Sequence, residues 1–226
     1  MKGLDAANTG WIYLHGFASS PASSKARAFV TWGEKRGLEV HALDLRVPSF
    51  EHLRFSAMVE AVGRAIAETG ASQVVLVGSS LGGLLAARVA EADARVAAVF
   101  LMAPAFRLVE GWKRRLGTHE WHKWRETNAL EVTDYATNRV RALDFGFVEE
   151  LERIDAKGDG TPDVRVPTRI IHGLRDDVVP IEGSRAWAKS RPHVKLVEVD
   201  DTHELGASIP RILEEADTFV RDYSTR

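Results

Sequence analysis

The sequence predicts an α/β fold with a mainly parallel sheet of about six strands and helices on both faces. Six short, nearly continuous apolar runs recur along the chain, as expected for strands buried on both faces. Amphipathic helical patterns separate these runs, which favours right-handed crossovers between parallel strands. The predicted strands cover residues 11–15, 38–45, 74–78, 96–102, 168–172 and 194–199.

Apolar side chains at helical spacing predict the helices between these strands. Ser20 and Pro21 indicate the start of the first helix, with Ser20 as its N-cap. A second stripe ends before Gly70, a predicted C-terminal cap, and contains Phe55, Met58, Val59, Val62 and Ile66. The last stripe contains Leu205, Ile209, Ile212, Leu213, Ala216 and Phe219. We expect these stripes to face the sheet.

One segment interrupts the regular alternation of strands and helices. Residues 105–163 contain no clear strand of the central sheet. Their first part, 106–125, is predicted to be helical and contains three tryptophans, whereas 131–147 fits either a small hairpin or a further helix. The run 157–162 is predicted to be a turn back to the body. We therefore predict one domain, residues 1–226, with a lid inserted at 105–163.

Composition limits the classes of function. The chain has 226 residues, a net charge of −2 and no cysteine. These values suit a single globular domain and exclude disulfides and a thiol nucleophile. Without a long single-sign charge run, we expect neither nucleic acid nor stable membrane association. The N-terminus does not have the pattern of a signal peptide and no apolar run is long enough to span a membrane, so we expect a cytoplasmic protein.

The most informative motif is Gly-x-Ser-x-Gly between a strand and a helix. Gly78, Ser80 and Gly82 form it, after the apolar run 74–77 and before the helix-forming run 84–90. This context places a serine in a sharp turn where its hydroxyl stands clear of the backbone, and glycines avoid collisions on either side. The motif predicts Ser80 as a nucleophile; the alternative is a tight strand–helix turn with an unused serine.

A nucleophilic serine requires a base, and the base requires an orienting acid. His203 follows the predicted strand 194–199, and the loop after strand 168–172 contains Asp176 and Asp177. Since the carboxyl ends of parallel strands meet at one edge of a sheet, we expect these groups to converge on Ser80. Asp200, close to His203 in sequence, is a further candidate for the acid.

Three segments together resemble α/β-hydrolase-fold serine esterases, over essentially the whole chain. They are LHGFASSP at 14–21, LVGSSLGG at 76–83 and HGLRDDVVP at 172–180. The first resembles small bacterial carboxylesterases, and the other two resemble abhydrolase-type thioesterases. The resemblance implies that Ser80 is the nucleophile, Asp176 the acid and His203 the base.

The same resemblance, together with the turn geometry, predicts an oxyanion hole. Its donors would be the backbone N–H groups of Leu81, which follows the nucleophile, and of Phe17 in the loop after the first strand. Gly16 allows this loop to turn, and His15 is predicted to pack and shape it. No cofactor is expected.

The predicted activity is hydrolysis of small to medium acyl esters through an acyl-enzyme intermediate. An acyl thioesterase using the same triad is the closest alternative, and a non-catalytic binding protein on this scaffold is a more distant one. His119 and His122 are one residue too close for the metalloprotease His-Glu-x-x-His spacing, so we expect no metal there.

Overall fold

The structure, a computed structural model, describes residues 8–156 and 160–223. Residues 157–159 of the predicted turn lie outside this range. The strands are β1 (Thr9–Leu14), β2 (Val40–Leu43), β3 (Gln73–Ser79), β4 (Val96–Met102), β5 (Leu130–Asp134), β6 (Arg139–Leu143), β7 (Thr168–Gly173) and β8 (Val194–Val199). The helices are α1 (Ser24–Glu34), α2 (Phe55–Glu68), α3 (Leu81–Ala92), α4 (Leu108–Thr127), α5 (Gly146–Asp155), α6 (Ile181–Lys189) and α7 (Ile209–Tyr223).

Six of these strands form one parallel sheet in the order β2-β1-β3-β4-β7-β8. The predicted fold class is confirmed, and the six predicted strands agree with the observed ones to within two residues at each end. Because every strand runs in the same direction, the loops after β1, β3, β7 and β8 all leave from one edge of the sheet. The candidate site residues lie in these loops.

The sheet is covered on both faces, as its apolar strands require. Side chains at alternate positions of each strand enter two separate cores. One core contains α1 and α7 and the other contains α2, α3, α6 and the segment between β4 and β7. Full burial of one such side chain contributes about 1.5–3 kcal/mol. In β1 and β3 the first core receives Trp11, Tyr13, Val75 and Val77, and the second receives Ile12, Leu14, Val74 and Leu76.

Two details of the predicted helices are wrong. The first helix begins at Ser24 with Ser23 as its N-cap, not Ser20. The Ser20 hydroxyl instead accepts the Ala22 N–H (3.3 Å) in a turn that precedes the helix. In α2, Val59 is 36% exposed, because it lies at the edge of a stripe whose other four members are buried.

The segment between β4 and β7 contains α4, the antiparallel hairpin β5–β6 and α5. A break at Gly117 (φ 72°, ψ 169°) divides α4. Trp121 and Trp124 are buried against Phe145, and the Trp124 Nε1–H donates to the Leu143 carbonyl oxygen (2.8 Å). These contacts hold α4 against the end of the hairpin within the insertion.

Charged groups also hold the insertion in place. Arg54, at the start of α2, donates to both carboxylate oxygens of Asp144 (2.7 and 3.0 Å). Glu51 forms an ion pair with Arg141 of β6. The loop after β2 and the insertion therefore have a fixed relation to each other.

Candidate active site

Ser80 lies in a sharp turn between β3 and α3. Its backbone has φ 53° and ψ −113°, a combination that is unfavourable for residues other than glycine. Hydrogen bonds compensate for this strain: the Ser80 N–H donates to the Met102 carbonyl oxygen (2.9 Å), and the Ser80 carbonyl oxygen accepts the N–H of Gly83 (2.9 Å). The Ser80 hydroxyl makes no capping hydrogen bond to the helix that follows.

Two glycines make this turn possible. A Cβ on Gly82 would lie 2.1 Å from the Leu14 carbonyl oxygen, and a Cβ on Gly78 would lie 2.3 Å from the Gly82 carbonyl oxygen. Both distances are far below van der Waals contact, and the obstructing atoms belong to the backbone. The close approach of β1, β3 and α3 therefore requires glycine at both positions.

Replacing Gly82 with alanine is expected to lower the free energy of unfolding by about 3 kcal/mol, because backbone atoms of β1 would have to move. Gly63→Ala is the matched control. Gly63 lies inside α2, and a Cβ there would have no other atom within 4 Å, so alanine is expected to stabilise the fold by up to about 1 kcal/mol. Urea unfolding of both variants measures the difference, and equal effects would contradict this account of the turn.

The structure brings Ser80, Asp176 and His203 together. His203 Nε2 lies 3.1 Å from Ser80 Oγ, and His203 Nδ1 lies 2.8 Å from Asp176 Oδ2. An ionised carboxylate only accepts, so Nδ1 carries the proton and Nε2 is free to accept the Ser80 hydroxyl hydrogen. The imidazole is thus in the tautomer that a general base requires.

The Asp176 carboxylate is enclosed by donors. Its Oδ1 accepts the backbone N–H groups of Val178 (3.0 Å) and Val179 (2.7 Å), while Oδ2 faces His172 and His203. Burial alone would raise the pKa of the Asp176 carboxyl, but these hydrogen bonds outweigh burial and hold that pKa well below its usual range. Asp176 is therefore a charged, fixed acceptor for His203.

The other candidate acids lie elsewhere. Asp177 and Asp200 are both exposed. Asp200 pairs with Arg175 (2.8 Å), and the hydrogen bond of His203 goes to Asp176. The sequence left open which of the adjacent residues Asp176 and Asp177 contacts the histidine. In the structure it is Asp176.

Phe17 and Leu81, the predicted oxyanion donors, flank Ser80. Among the described residues, neither backbone N–H donates a hydrogen bond to another residue. A Cβ on Gly16 would lie 3.5 Å from the Ser80 Cβ, so the loop after β1 passes directly beside the serine. His15 fixes this loop: its Nε2 accepts the Leu45 N–H (3.0 Å) and its Nδ1–H donates to the Gly16 carbonyl oxygen (2.8 Å).

The Phe17 side chain joins this loop to the insertion. Its ring lies 4.8 Å from the Trp112 ring of α4, between ring centroids, and 6.2 Å from that of Phe50. The next residue, Ala18, accepts the backbone N–H of Tyr135 (3.0 Å) from the turn between β5 and β6. The insertion therefore supports the loop that carries the Phe17 N–H.

Two residues near the site had no role in the sequence prediction. His172 is fully buried, with Nε2 3.2 Å from Asp176 Oδ2. Lys25 of α1 donates from Nζ to the Glu204 carbonyl oxygen (2.6 Å), next to His203, and burial lowers the pKa of its ammonium group. The His172-Gly173 pair four residues before the acid was visible in the sequence, but nothing local indicated Lys25.

Other kinds of site find no support in the described part of the chain. Residues 8–156 and 160–223 contain no group of three or more His, Cys, Asp or Glu side chains arranged to hold a metal ion. His119 is exposed and contacts Glu120 Oε1 (3.1 Å). No helix in the same ranges has the length and apolar character needed to cross a membrane.

Comparisons with known proteins agree with the fold. The sequence model of UPF0227, described as an uncharacterised protein family, matches residues 10–220. No curated protein matches the chain.

Several solved structures are similar. Mouse alpha/beta hydrolase domain-containing protein 10 has a TM-score of 0.77 at 21% identity, over 99% of this chain and 93% of that one. Est1E from Butyrivibrio proteoclasticus, bound to ferulic acid, has a TM-score of 0.79 at 20% identity, over 94% and 88%. A pyrethroid hydrolase from Sphingobium faniae has a TM-score of 0.62 at 22% identity, over 94% and 98%. At these identities the likeness establishes the α/β-hydrolase fold.

Proposed function

Because the chain belongs to the UPF0227 family and has the α/β-hydrolase fold, we propose that it is a serine hydrolase that cleaves carboxylic esters. The observation that carries the proposal is the continuous hydrogen-bond chain from Ser80 through His203 to Asp176, with distances of 3.1 and 2.8 Å. This arrangement activates a hydroxyl for attack on an acyl carbon. The esterase and hydrolase names of proteins with similar folds are consistent with it.

In acylation, Ser80 Oγ attacks the ester carbonyl carbon while its proton passes to His203 Nε2. Asp176 stabilises the imidazolium through the Nδ1–H bond. Negative charge develops on the carbonyl oxygen, where the free N–H groups of Phe17 and Leu81 would receive it; one such donor is worth about 10²–10³ in rate. The protonated His203 then delivers its proton to the leaving alcohol.

Deacylation repeats these steps with water. His203 Nε2 removes a proton from a water molecule, whose oxygen attacks the acyl carbon of the Ser80 ester. The second tetrahedral intermediate collapses, the proton returns to Ser80 Oγ, and the carboxylic acid leaves. The chemistry is complete with groups of this chain and requires no cofactor.

We assign residues 105–163 the role of a lid that limits the size of the substrate. The support is the contact of Phe17 with Trp112, which connects the insertion to the loop beside Ser80. A wall of aromatic side chains close to the nucleophile favours small to medium uncharged acyl groups and excludes water from the reacting bond.

A fluorophosphonate probe tests the proposal on the wild-type protein. We expect the probe to modify Ser80, and peptide mapping by mass spectrometry distinguishes this serine from the adjacent Ser79, which is buried in β3. Failure of the protein to react with the probe and to hydrolyse any member of a panel of short-chain esters would remove the proposed activity and favour a binding protein.

The leaving group can be identified with matched substrates. Oxygen and sulfur esters of the same acyl group share the acyl-enzyme, so they share the deacylation rate and differ in acylation. If the protein is an ester hydrolase, its kcat/KM for the oxygen ester is expected to match or exceed its kcat/KM for the sulfur ester. A strong preference for the sulfur ester would reassign the activity to a thioesterase with the same triad.

A further inference from the structure

A second histidine contacts the acid of the triad. His172, in β7, is buried between Asp176 and α6. Its Nε2 lies 3.2 Å from Asp176 Oδ2 and 2.8 Å from the Val179 carbonyl oxygen. Its Nδ1 lies 2.9 Å from Ser184 Oγ. Every ring nitrogen of this side chain therefore has a specific partner.

These partners fix the positions of the hydrogens. The Val179 carbonyl oxygen and the Asp176 carboxylate are acceptors only, so Nε2 of His172 must carry a proton, which bonds to the Val179 carbonyl oxygen and faces the carboxylate. Nδ1 of the neutral ring then accepts the Ser184 hydroxyl hydrogen. As a result, the His172 Nε2–H donates to the Val179 carbonyl oxygen, and the same nitrogen lies 3.2 Å from Asp176 Oδ2, the oxygen that accepts the His203 Nδ1–H.

We propose that His172, oriented by Ser184, is a positioning residue that holds the Asp176 carboxylate and sets how strongly it acts on His203. The inference rests on the proposed function, since it concerns the same triad. The His172 N–H prevents rotation of the carboxylate and draws negative charge from the oxygen that faces His203. Both effects determine how readily His203 takes and releases the Ser80 proton.

Other charged groups surround this pair and remain in place when His172 is changed. Glu198 of β8 lies opposite His172 in the sheet register and pairs with Arg185 of α6 (2.7 Å). Lys25 of α1 and Glu204 lie on the other side, around Asp176 and His203. Because none of these donates to Asp176 Oδ2 among the described residues, the effect of the His172 N–H can be isolated.

The test compares three variants of the full chain. His172→Phe keeps the ring and removes the donor, whereas His172→Gln places an amide N–H near the position of Nε2. His193→Phe is the matched control, since His193 Nε2–H donates to the Val164 carbonyl oxygen (2.9 Å) at the amino end of β8, the opposite edge of the sheet from Ser80.

Two readouts separate positioning from stability. We expect His172→Phe to lower kcat/KM about tenfold, as for loss of one hydrogen bond to a charged group. We also expect the acid limb of the pH profile to move to higher pH and the NMR resonance of the His203 Nδ1–H proton to shift. The sign follows because a carboxylate relieved of one donor stabilises the His203 imidazolium more strongly. His172→Gln should restore the wild-type profile, and His193→Phe should leave it unchanged.

An unchanged His203 Nδ1–H resonance in His172→Phe overturns the inference, as does a His172→Gln variant that behaves like His172→Phe. If His172→Phe does not fold, Ser184→Ala replaces it: the expected upward shift of the acid limb is smaller but has the same sign, and no shift overturns the inference. The NMR measurement requires no substrate. Failure of the proposed function would appear as a wild-type protein that hydrolyses no ester. Failure of the inference about His172 would appear in the variants, so the two outcomes can be distinguished.

Discussion

Replacing Ser80 with alanine is expected to lower kcat for ester hydrolysis by about 10⁶, the loss typical of removing a catalytic serine. The nucleophile carries the acyl group, so no residual acyl-enzyme can form. The fold should be retained, because alanine has a lower cost than larger residues at the strained φ of 53° and the backbone hydrogen bonds of residue 80 do not use its side chain. Initial rates with a chromogenic short-chain ester, together with circular dichroism, measure both quantities.

Ser79→Ala provides the matched control for this variant. Ser79 is the preceding residue and is buried at the end of β3, whereas the half-buried Ser80 carries the hydroxyl that contacts His203 Nε2. We expect its hydrolysis rate to remain within a few-fold of wild type and its probe labelling to persist. Labelling that survives in Ser80→Ala and disappears in Ser79→Ala would transfer the nucleophile to the neighbouring serine.

The strands and the serine turn could be predicted from the sequence because their signals are local. A buried parallel strand needs a short apolar run, and β4 and β8 have the predicted bounds. The turn at Ser80 needs glycines at 78 and 82. In the structure, a side chain at either position would collide with a backbone atom. The order of strands in the sheet has no such local signal.

The remaining features depend on contacts between distant segments. The segment 131–147 could form a hairpin or a helix, and it forms β5, β6 and the start of α5 because Leu143 and Phe147 join the core of the body. The contact of His172 with Asp176 depends on the loop after β7 returning over the strand end, held by Val178 and Val179. Sequence position alone could not show that both ring nitrogens of His172 are used.

Two variants test whether Asp176, and not Asp177, is the acid that orients His203. Asp176→Asn is expected to lower kcat by about 10⁴, while Asp177→Asn, on an exposed neighbour, should change it little. The asparagine oxygen can still accept the N–H groups of Val178 and Val179, so its NH₂ group would face His203. His203 would then have to accept at Nδ1 and carry its proton on Nε2, where it could no longer take the Ser80 hydrogen.

The stability of the Asp176→Asn variant gives an independent test of the same geometry. The hydrogen bonds around Asp176 hold the pKa of its carboxyl below the usual range in the folded state. A group with a depressed folded-state pKa stabilises the fold above its unfolded pKa of about 4, and this contribution is lost as the pH falls further. The stability lost in Asp176→Asn should therefore be largest near neutral pH and shrink below about pH 4. A difference that does not depend on pH would mean that the carboxylate is not held as a charged acceptor, and that His203 is oriented in some other way.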